Sequence, residues 1–321
     1  MARNELLEQF VRVLDEHCPP DAVRAIQAGG DIAPMWDAFV ASGFVDALVP
    51  EAADGAGLSL GEMAPLFQAM GRFAMPLPLA ETMVARKLLA EAGTAWPDGP
   101  IAFVTGCAPV PCGLVATHLL IEAGDVLRLV PAAELTIQAT GVHGSLAAWI
   151  EGAAKAESAV IAAPFGGLRP IAALCRASGI AGAAERLLEM TVAYANDRVQ
   201  FGKPIGRLQA IQQQLSVMAE QVLIARFAAE LGCRGNWPSP AGAAIAKTVS
   251  SGAAATIADI AHAVHGAIGI SVEHDLQLYS RALRAGRLDE GGETYWAVRL
   301  GRERLAQAAG SSLDFVRGLE A

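Results

Sequence analysis

The stretch Tyr194-Ala195-Asn196-Asp197-Arg198-Val199-Gln200-Phe201-Gly202-Lys203-Pro204-Ile205 separates two segments with helical periodicity. Before it, small and apolar residues recur at three- and four-residue spacing on one helix face, at Ala184, Leu187, Leu188, Thr191, Tyr194 and Ala195. Gly202 and Pro204 interrupt the pattern, because proline cannot donate to a helix and restricts the residue before it. After it, apolar residues repeat with spacings of 3, 4, 3, 4 and 3, at Leu208, Ile211, Leu215, Met218, Val222 and Ala225. The stretch predicts two helices, the second starting near Ile205, joined at a corner that carries Arg198 and Phe201.

The composition favours closely packed helices. Of the 321 residues, 53% are hydrophobic and only 6% are aromatic, and the length allows two or three domains. The formal net charge is −9, and no basic tract of five or more residues occurs, so we expect no nucleic-acid partner.

The cysteines and histidines do not form a recognisable metal or disulfide pattern. Five cysteines are scattered along the chain, and we expect them to be buried small hydrophobic residues in a reducing compartment. His262 and His265 lie three residues apart without a third ligand, so we predict no metal site. The N-terminus has no apolar signal core and no long uncharged apolar run follows, which predicts a cytoplasmic protein with no membrane partner.

The chain divides into three segments by pattern. Residues 1–97 look helical, and Ser59 with Glu62 could form a capping box after the loop that begins at Pro50. Residues 98–165 contain short apolar runs typical of strands, at 114–122, 126–130, 134–138 and 158–162, with a tight turn at Gly124-Asp125. Residues 166–321 return to long helices, as in a helical bundle.

The corner resembles the signature of the acyl-CoA dehydrogenase family, in which a helix ends in R-x-Q-F-G-x-P-I and a Q-x-I-Q helix follows. The loop from Pro50 to Ser59 is similar to a Gly-rich loop in the family's N-terminal domain, with Asp54 in place of one glycine. The resemblance implies a mainly α fold with a small β domain: an N-terminal helical domain, a reduced middle β domain and a C-terminal four-helix bundle that assembles the oligomer.

The resemblance also implies FAD as the cofactor. In the family this corner reaches across a subunit interface to the adenosine diphosphate part of a neighbour's FAD, which assigns that contact to Arg198, Gln200, Phe201, Ile205, Leu208 and Ile211. A later segment is similar to the family's Q-x-x-G-G-x-G motif, with Ala263 and Ala267 replacing the glutamine and the middle glycine. Gly266 and Gly269 would line the flavin pyrophosphate there, since glycine lets backbone N–H groups approach phosphate closely.

The family reaction is α,β-dehydrogenation of an acyl-CoA thioester, in which a glutamate removes the α-proton and hydride passes to the flavin. Such a base must be a desolvated carboxylate with a raised pKa. Alignment from the C-terminal side assigns this position to Glu290, and alignment from Arg284 assigns it to Glu293. The alternative is that Asp289, Glu290 and Glu293 only favour the start of a last helix through its dipole.

In the family, a Thr-Glu-Pro-x-Ala-Gly-Ser segment and a Trp-x-Thr segment touch the flavin ring. Neither is found in residues 98–165, where Trp149, followed by Ile150 and Glu151, is the candidate for the tryptophan of the second segment. We therefore predict one subunit of a homo- or hetero-tetramer with a second acyl-CoA dehydrogenase-like chain and a shared FAD site. The alternative is a non-catalytic structural partner or a flavin-free relative. An electron-transfer flavoprotein would be the electron acceptor. The Ala- and Gly-rich helices leave room for a ring-containing acyl group.

Overall fold

The computed structural model describes residues 3–152, 159–306 and 310–318. The first part of the chain is helical, as the sequence predicts: α1 (Arg3–His17), α2 (Pro20–Gln27), α3 (Ala33–Ala41), α4 (Leu60–Arg72) and α5 (Leu79–Glu91). Gly43, two residues after the end of α3, has a φ of 75° and breaks the helix as the sequence predicts. The capping box is confirmed, because the Glu62 N–H donates to Ser59 Oγ at 3.3 Å and the Ser59 N–H donates to Glu62 Oε2 at 2.9 Å.

The middle of the chain forms two small sheets. The strands are β1 (Ile101–Val104), β2 (His118–Ala123), β3 (Val126–Pro131), β4 (Thr136–Ala139), β5 (Ala148–Glu151) and β6 (Ala159–Ala162). The larger sheet has the order β1-β2-β3-β6, with β1 and β2 parallel and the other pairs antiparallel, and β4 pairs with β5. Gly124, at a φ of 65°, makes the predicted turn between β2 and β3.

Two predicted strands begin later than expected. Residues 114–117 precede β2, and there the Thr117 N–H and hydroxyl both donate to the carbonyl of Pro100. Glu134 ends a short 3-10 turn, so β4 begins at Thr136. Residue 158, predicted to open the last strand, lies outside the described residues.

The remaining described elements are mostly long helices. They are α6 (Arg169–Asp197), the hairpin strands β7 (Val199–Gln200) and β8 (Lys203–Pro204), α7 (Gln209–Gly232), α8 (Pro240–His265), α9 (Leu276–Leu288), α10 (Glu293–Ala306) and α11 (Ser312–Gly318). The predicted helix start near Ile205 is wrong, since residues 205–207 form a 3-10 turn and α7 starts at Gln209. The cause is local: the Ile205 N–H donates to the carbonyl of Arg198 at 2.8 Å and closes the hairpin.

The main cluster of buried side chains runs through the helices and the larger sheet. It includes Phe67 of α4, Phe103 of β1, Leu120 of β2 and Leu174 of α6. The apolar helix region Pro240–Ile270 is long enough to cross a membrane by length and composition, a test that buried core helices also pass. Cys18, Cys175 and Cys233 are buried as expected. Cys112 is half-buried, and Cys107 is exposed in the loop after β1, so the expectation is wrong for Cys107.

The contact between α4 and α6 depends on small residues. A Cβ atom on Gly182 would lie 1.7 Å from the carbonyl oxygen of Gln68, and one on Gly71 would lie 2.0 Å from that of Gly179. Side chains at these two positions would force the helix backbones apart. The close crossing sets one wall of the cavity described below.

Candidate functional site

The corner projects from the chain as a two-strand hairpin, β7 and β8. Phe201 stands at its tip with a φ of 52° and 88% of its surface exposed. Arg198 and Gln200 are exposed as well, and Arg198 makes no ion pair within the described residues. Behind the hairpin, Ile205 is buried and packs with half-buried Leu208 and Ile211. The corner thus presents a cation, an amide and an aromatic ring to whatever adjoins it.

The two predicted cofactor segments lie side by side. The rings of Tyr194 and His265 stack with their centroids 4.5 Å apart, which joins the end of α6 to the end of α8. Gly266 follows immediately with a φ of 62° and a ψ of −142°, and a Cβ there would meet no atom within 4 Å. Gly269 differs, because a Cβ would lie 2.8 Å from Leu276 Cδ2. The need for glycine at position 269 is therefore explained by packing within the chain.

The two histidines near Gly266 make hydrogen-bond contacts with residues of the same chain. His262 Nε2 lies 2.9 Å from Ser280 Oγ, and His265 Nδ1 lies 2.8 Å from the carbonyl oxygen of Ala261.

The predicted base candidates lie far from the corner. Glu290 Oε2 is 3.9 Å from Arg169 Nε, at the first residue of α6, whereas Arg198 follows the last. A helix of 29 residues is roughly 43 Å long. The acidic cluster and the corner of one chain therefore occupy opposite ends of α6.

Glu290 occupies the turn between α9 and α10. Its φ of 60° places it in the left-handed region, a conformation that costs a non-glycine residue about 1–2 kcal/mol. Its side chain is only 7% exposed and accepts a hydrogen bond from the Thr105 hydroxyl. Burial raises the pKa of Glu290, while the Thr105 hydrogen bond and the Arg176, Arg169 and Lys247 charges act in the opposite direction. Burial of this kind disfavours the charged form of a carboxyl group.

Glu293 has a different environment. It begins α10, where Arg287 Nε and Nη2 donate to its two carboxylate oxygens at 3.1 and 2.5 Å. The Arg287 hydrogen bonds are the main reason that the pKa of Glu293 falls to about 2. A carboxylate so paired is a weak proton acceptor.

The structure adds Asp289 to the candidate site, whereas the sequence had offered it only as an acidic residue near the start of a helix. It lies at the C-terminal cap of α9, and its side chain lines a cavity of about 860 Å³ between α4, α6, α9 and the β segment. Burial raises the pKa of Asp289 to about 6, although the Arg176 and Lys247 charges act in the opposite direction. Glu290 and Glu293 do not line this cavity. Trp149, the candidate for the family's flavin-ring tryptophan, does line it.

Lys247 supports the same turn from α8. It is fully buried and donates to Ser251 Oγ at 2.9 Å, the carbonyl of Arg287 at 2.9 Å and that of Gly291 at 2.8 Å. It therefore clamps the backbone on both sides of Asp289 and Glu290. The signal in the sequence was a lone lysine inside an Ala-rich helix, and Arg176 is a similarly isolated cation in the apolar first half of α6.

The chain's residues fit the adenosine diphosphate end of FAD. Exposed Arg198 suits a phosphate charge, exposed Phe201 offers a stacking face, and the open space beside Gly266 admits close backbone approach.

Comparison with known proteins agrees with this organisation. Residues 171–305 match the family model described as "Acyl-CoA dehydrogenase, C-terminal domain". The chain is 31% identical over 295 residues to acyl-CoA dehydrogenase IpdE2 of Mycobacterium tuberculosis, covering 86% of this chain and 89% of the relative. It is also 31% identical to IpdE2 of Mycolicibacterium smegmatis, over 86% of this chain and 90% of the relative.

Two solved structures share the fold. One is a variant of the Tcur3481–Tcur3483 steroid ACAD, with a TM-score of 0.80, 24% identity and coverage of 96% of this chain and 99% of that chain. The other is the ChsE4–ChsE5 complex from Mycobacterium tuberculosis, with a TM-score of 0.80, 23% identity and coverage of 97% and 98%. Together with the sequence identity to IpdE2 over most of both chains, they show that this chain belongs to the acyl-CoA dehydrogenase family.

Proposed function

We propose that this chain is one subunit of an FAD-dependent dehydrogenase that introduces an α,β double bond into an acyl-CoA thioester, with each FAD site shared between subunits. The observation that carries the proposal is the position of the corner and the acidic turn at opposite ends of α6. A corner at this distance serves a flavin other than the one beside its own carboxylates.

The surface supports a shared site. The helix that follows the corner, α7, exposes four large apolar side chains: Val217, Leu223, Ile224 and Phe227. Exposed apolar side chains of this kind are typical of an assembly surface. Two structural neighbours are described by their names as pairs of unlike chains, ChsE4–ChsE5 and Tcur3481–Tcur3483. We therefore favour a heterotetramer with a second acyl-CoA dehydrogenase-like chain over a homotetramer.

In this assembly Arg198, Gln200 and Phe201 hold the adenosine diphosphate part of FAD, and the backbone at Gly266 approaches the pyrophosphate. Bound FAD would accept the hydride from the β-carbon and pass its electrons to an electron-transfer flavoprotein. The chain's own acidic turn would take the α-proton.

Between the two carboxylates predicted as the base, the surroundings favour Glu290, although neither lines the cavity, whose wall carries the adjacent Asp289. The burial and raised pKa of Glu290 suit a proton acceptor, while Glu293 is held as an anion by Arg287. Lys247 keeps the turn in place, and Arg169 orients the Glu290 side chain.

The cavity suits a bulky acyl group. Its volume of about 860 Å³ lies in the upper part of the range common for small-molecule sites, and the Tcur3481–Tcur3483 neighbour is named a steroid ACAD. We propose a ring-containing acyl group as the substrate's acyl part.

The test is co-expression. The chain is produced alone and with the product of an adjacent acyl-CoA dehydrogenase-like gene, and the visible flavin absorbance per chain is recorded. Flavin bound only in the co-expressed complex is the expected result. Full flavin loading of the chain alone as a monomer would contradict the shared site, and no flavin in either sample would favour a non-catalytic, structural subunit.

Glu290→Gln and Glu293→Gln, made separately in the flavin-containing complex, then test the base. We expect Glu290→Gln to lower turnover at least a hundredfold, in the range of general-base removal, and Glu293→Gln to change it much less. Unchanged turnover in both variants would exclude both residues.

A further inference from the structure

His265 lies where the two segments that the proposed function assigns to FAD meet. It is the last residue of α8, directly before Gly266, and only 3% of its surface is exposed. Its ring stacks on that of Tyr194, in the last turn of α6, with the two planes 20° apart. One turn later, the Arg198 N–H donates to the carbonyl of Tyr194 at 2.9 Å. One ring contact therefore connects the base of the corner with the glycine segment.

The stack borders a small apolar cluster behind the hairpin. Ala195, Ile205 and Val264 are its buried members, and Tyr194 packs against them. Aliphatic packing of this kind is non-directional, whereas two aromatic rings prefer defined relative geometries. The stack therefore fixes the end of α6 relative to the end of α8 more sharply than the aliphatic contacts do.

The hydrogen bonds of His265 require a neutral ring. Its Nδ1 lies 2.8 Å from the carbonyl oxygen of Ala261, so Nδ1 carries the proton and donates it. Its Nε2 is buried and has no hydrogen-bond partner among the described residues. A second proton, on Nε2, would create a buried charge and a buried donor without an acceptor.

The groups around the ring also disfavour a charge. The ring of His274, in the loop before α9, lies at 68° to that of His265 with the centroids 5.2 Å apart, and His262 lies one turn earlier on α8. On the α6 side the facing group is the uncharged ring of Tyr194. Burial lowers the pKa of His265, the hydrogen bond to Ala261 opposes this, and His274 and His262 lower the pKa further. The folded corner therefore favours the neutral imidazole.

We propose that His265 is a positioning residue for the shared FAD site, whose stack with Tyr194 holds the corner in register with the backbone at Gly266. The inference rests on the proposed function, since it assumes that the corner and the Gly266 segment bind the same FAD. A charged ring is relieved only when it leaves the stack, so protonation releases the corner. The positioning is fully present above the ordinary histidine pKa of 6.5 and is lost as the pH falls below it.

Hydrogen exchange of the full chain tests the positioning without flavin. The probe is the amide protection of residues 199–205, where the Ile205 N–H donates to the carbonyl of Arg198 at 2.8 Å. Corrected for the intrinsic exchange rate, wild-type protection should fall about threefold to tenfold between about pH 7.5 and pH 5.5. His265→Phe keeps a stacking ring that cannot gain a proton, so its protection should be the same at both pH values. His265→Ala removes the stack and should be poorly protected at both.

The same variants in the co-expressed, flavin-containing complex test the cofactor role. Flavin retained after gel filtration should fall at the lower pH in the wild type, stay constant in His265→Phe and be low throughout in His265→Ala. The matched control is His118→Phe, which removes a half-buried histidine on β2 whose pKa burial also lowers. It should keep the wild-type pH profile.

A variant of the other ring keeps the test decisive if His265→Phe does not fold. Tyr194→Leu leaves His265 in place but removes the stack, so it should reproduce the low corner protection of His265→Ala. The melting temperature of each variant shows whether it is folded.

The outcomes separate the two proposals. Wild-type pH dependence in folded His265→Phe, or full corner protection in both His265→Ala and Tyr194→Leu, would overturn the positioning role. Flavin retention that responds to none of these variants would also overturn it and leave the proposed function intact. The expected exchange pattern in chains whose complexes never take up flavin would instead overturn the proposed function, and with it the cofactor role of the stack.

Discussion

Lys247 shows how one side chain can hold a whole site together. It is a fully buried cation on α8 whose donors reach the carbonyls of Arg287 and Gly291, at the end of α9 and in the turn after it. Burial lowers the pKa of Lys247 to about 8, while the nearby carboxylates oppose the shift. The buried ammonium group has hydrogen-bond acceptors for all three of its donors, which offsets the cost of burying the charge.

Lys247→Met should destabilise the protein by about 2–4 kcal/mol, because the Gly291 carbonyl loses its ammonium donor and the Arg287 carbonyl keeps only the Ser251 hydroxyl, while the new side chain fills similar space. The free energy of unfolding from urea titration measures this. The control is Lys87→Met, which removes a pair with Glu91 one helical turn away. That change should cost less than about 1 kcal/mol, and equal losses in the two variants would contradict the clamp.

Asp289 should make stability depend on pH. Its pKa is raised from 3.8 to about 6 in the folded state, with Arg176, Lys247 and Glu290 as the charged groups around it. The folded state therefore holds a proton that the unfolded chain releases between about pH 4 and pH 6. That stabilisation is fully present below the unfolded pKa and is lost as the pH rises through the folded one.

Asp289→Asn lacks this titration. Between pH 4 and pH 7, the wild type should lose about 1–3 kcal/mol relative to the Asn variant. Paired thermal melts at half-unit pH steps, fitted for the difference in unfolding free energy, measure it. Glu290 titrates in both proteins, so only its coupling to Asp289 remains in the difference. A difference that is flat across this range would show that Asp289 is not desolvated.

At the scale of elements, the crossing of α4 and α6 depends on backbone contact. Gly71 and Gly182 leave no room for a Cβ, since the nearest carbonyl oxygens would lie 2.0 and 1.7 Å away. Glycine in a helix costs stability in isolation, and here the close packing of two helices compensates for it. The same crossing places Met70 and Ile180 on the wall of the cavity.

Gly182→Ala should therefore destabilise the protein by about 1–3 kcal/mol, because the added methyl group separates two packed helices. Gly252→Ala is the matched control: it also lies within a helix, but a Cβ there meets no atom within 4 Å. The control should be neutral or stabilise by up to about 1 kcal/mol through helix propensity. Denaturant unfolding of both variants measures the contrast, and a neutral Gly182→Ala would rule out the tight crossing.

At the scale of the whole molecule, the tip of the corner packs little against the rest of the chain. Arg198 and Phe201 are exposed, while the support behind them is buried. A residue that is exposed in the chain but serves a shared site should be dispensable for folding and needed for cofactor retention.

Arg198→Ala and Phe201→Ala should each lower the flavin retained per chain after gel filtration at least threefold, with melting temperatures within about 2 °C of the wild type under flavin-free conditions, as expected for surface changes. The control, Arg234→Ala, alters an exposed arginine in the loop after α7. Flavin retention equal to the wild type in both corner variants would remove the corner from the cofactor site.

Much of the fold follows from local patterns in the chain. Helical periodicity and turn residues correctly predicted the paired helices around the corner, the Ser59–Glu62 capping box and the Gly124 turn, because each depends on hydrogen bonds between near neighbours. The exact strand and helix starts were missed at His118 and Gln209. There, contacts to Pro100 and Arg198 decided the boundary.

The candidate site likewise has features that follow from the sequence and features that only the tertiary structure decides. The sequence alone determined the family resemblance, the corner between two helices and a short acidic stretch from Asp289 to Glu293. Only the tertiary structure decided what each carboxylate does: Asp289 faces a cavity, Glu290 meets Thr105, and Glu293 is paired with Arg287. The groups that surround Asp289 and Glu290 come from remote segments of the chain, and Arg287 reaches Glu293 only because the turn brings α9 and α10 together, so no local pattern could have separated their roles.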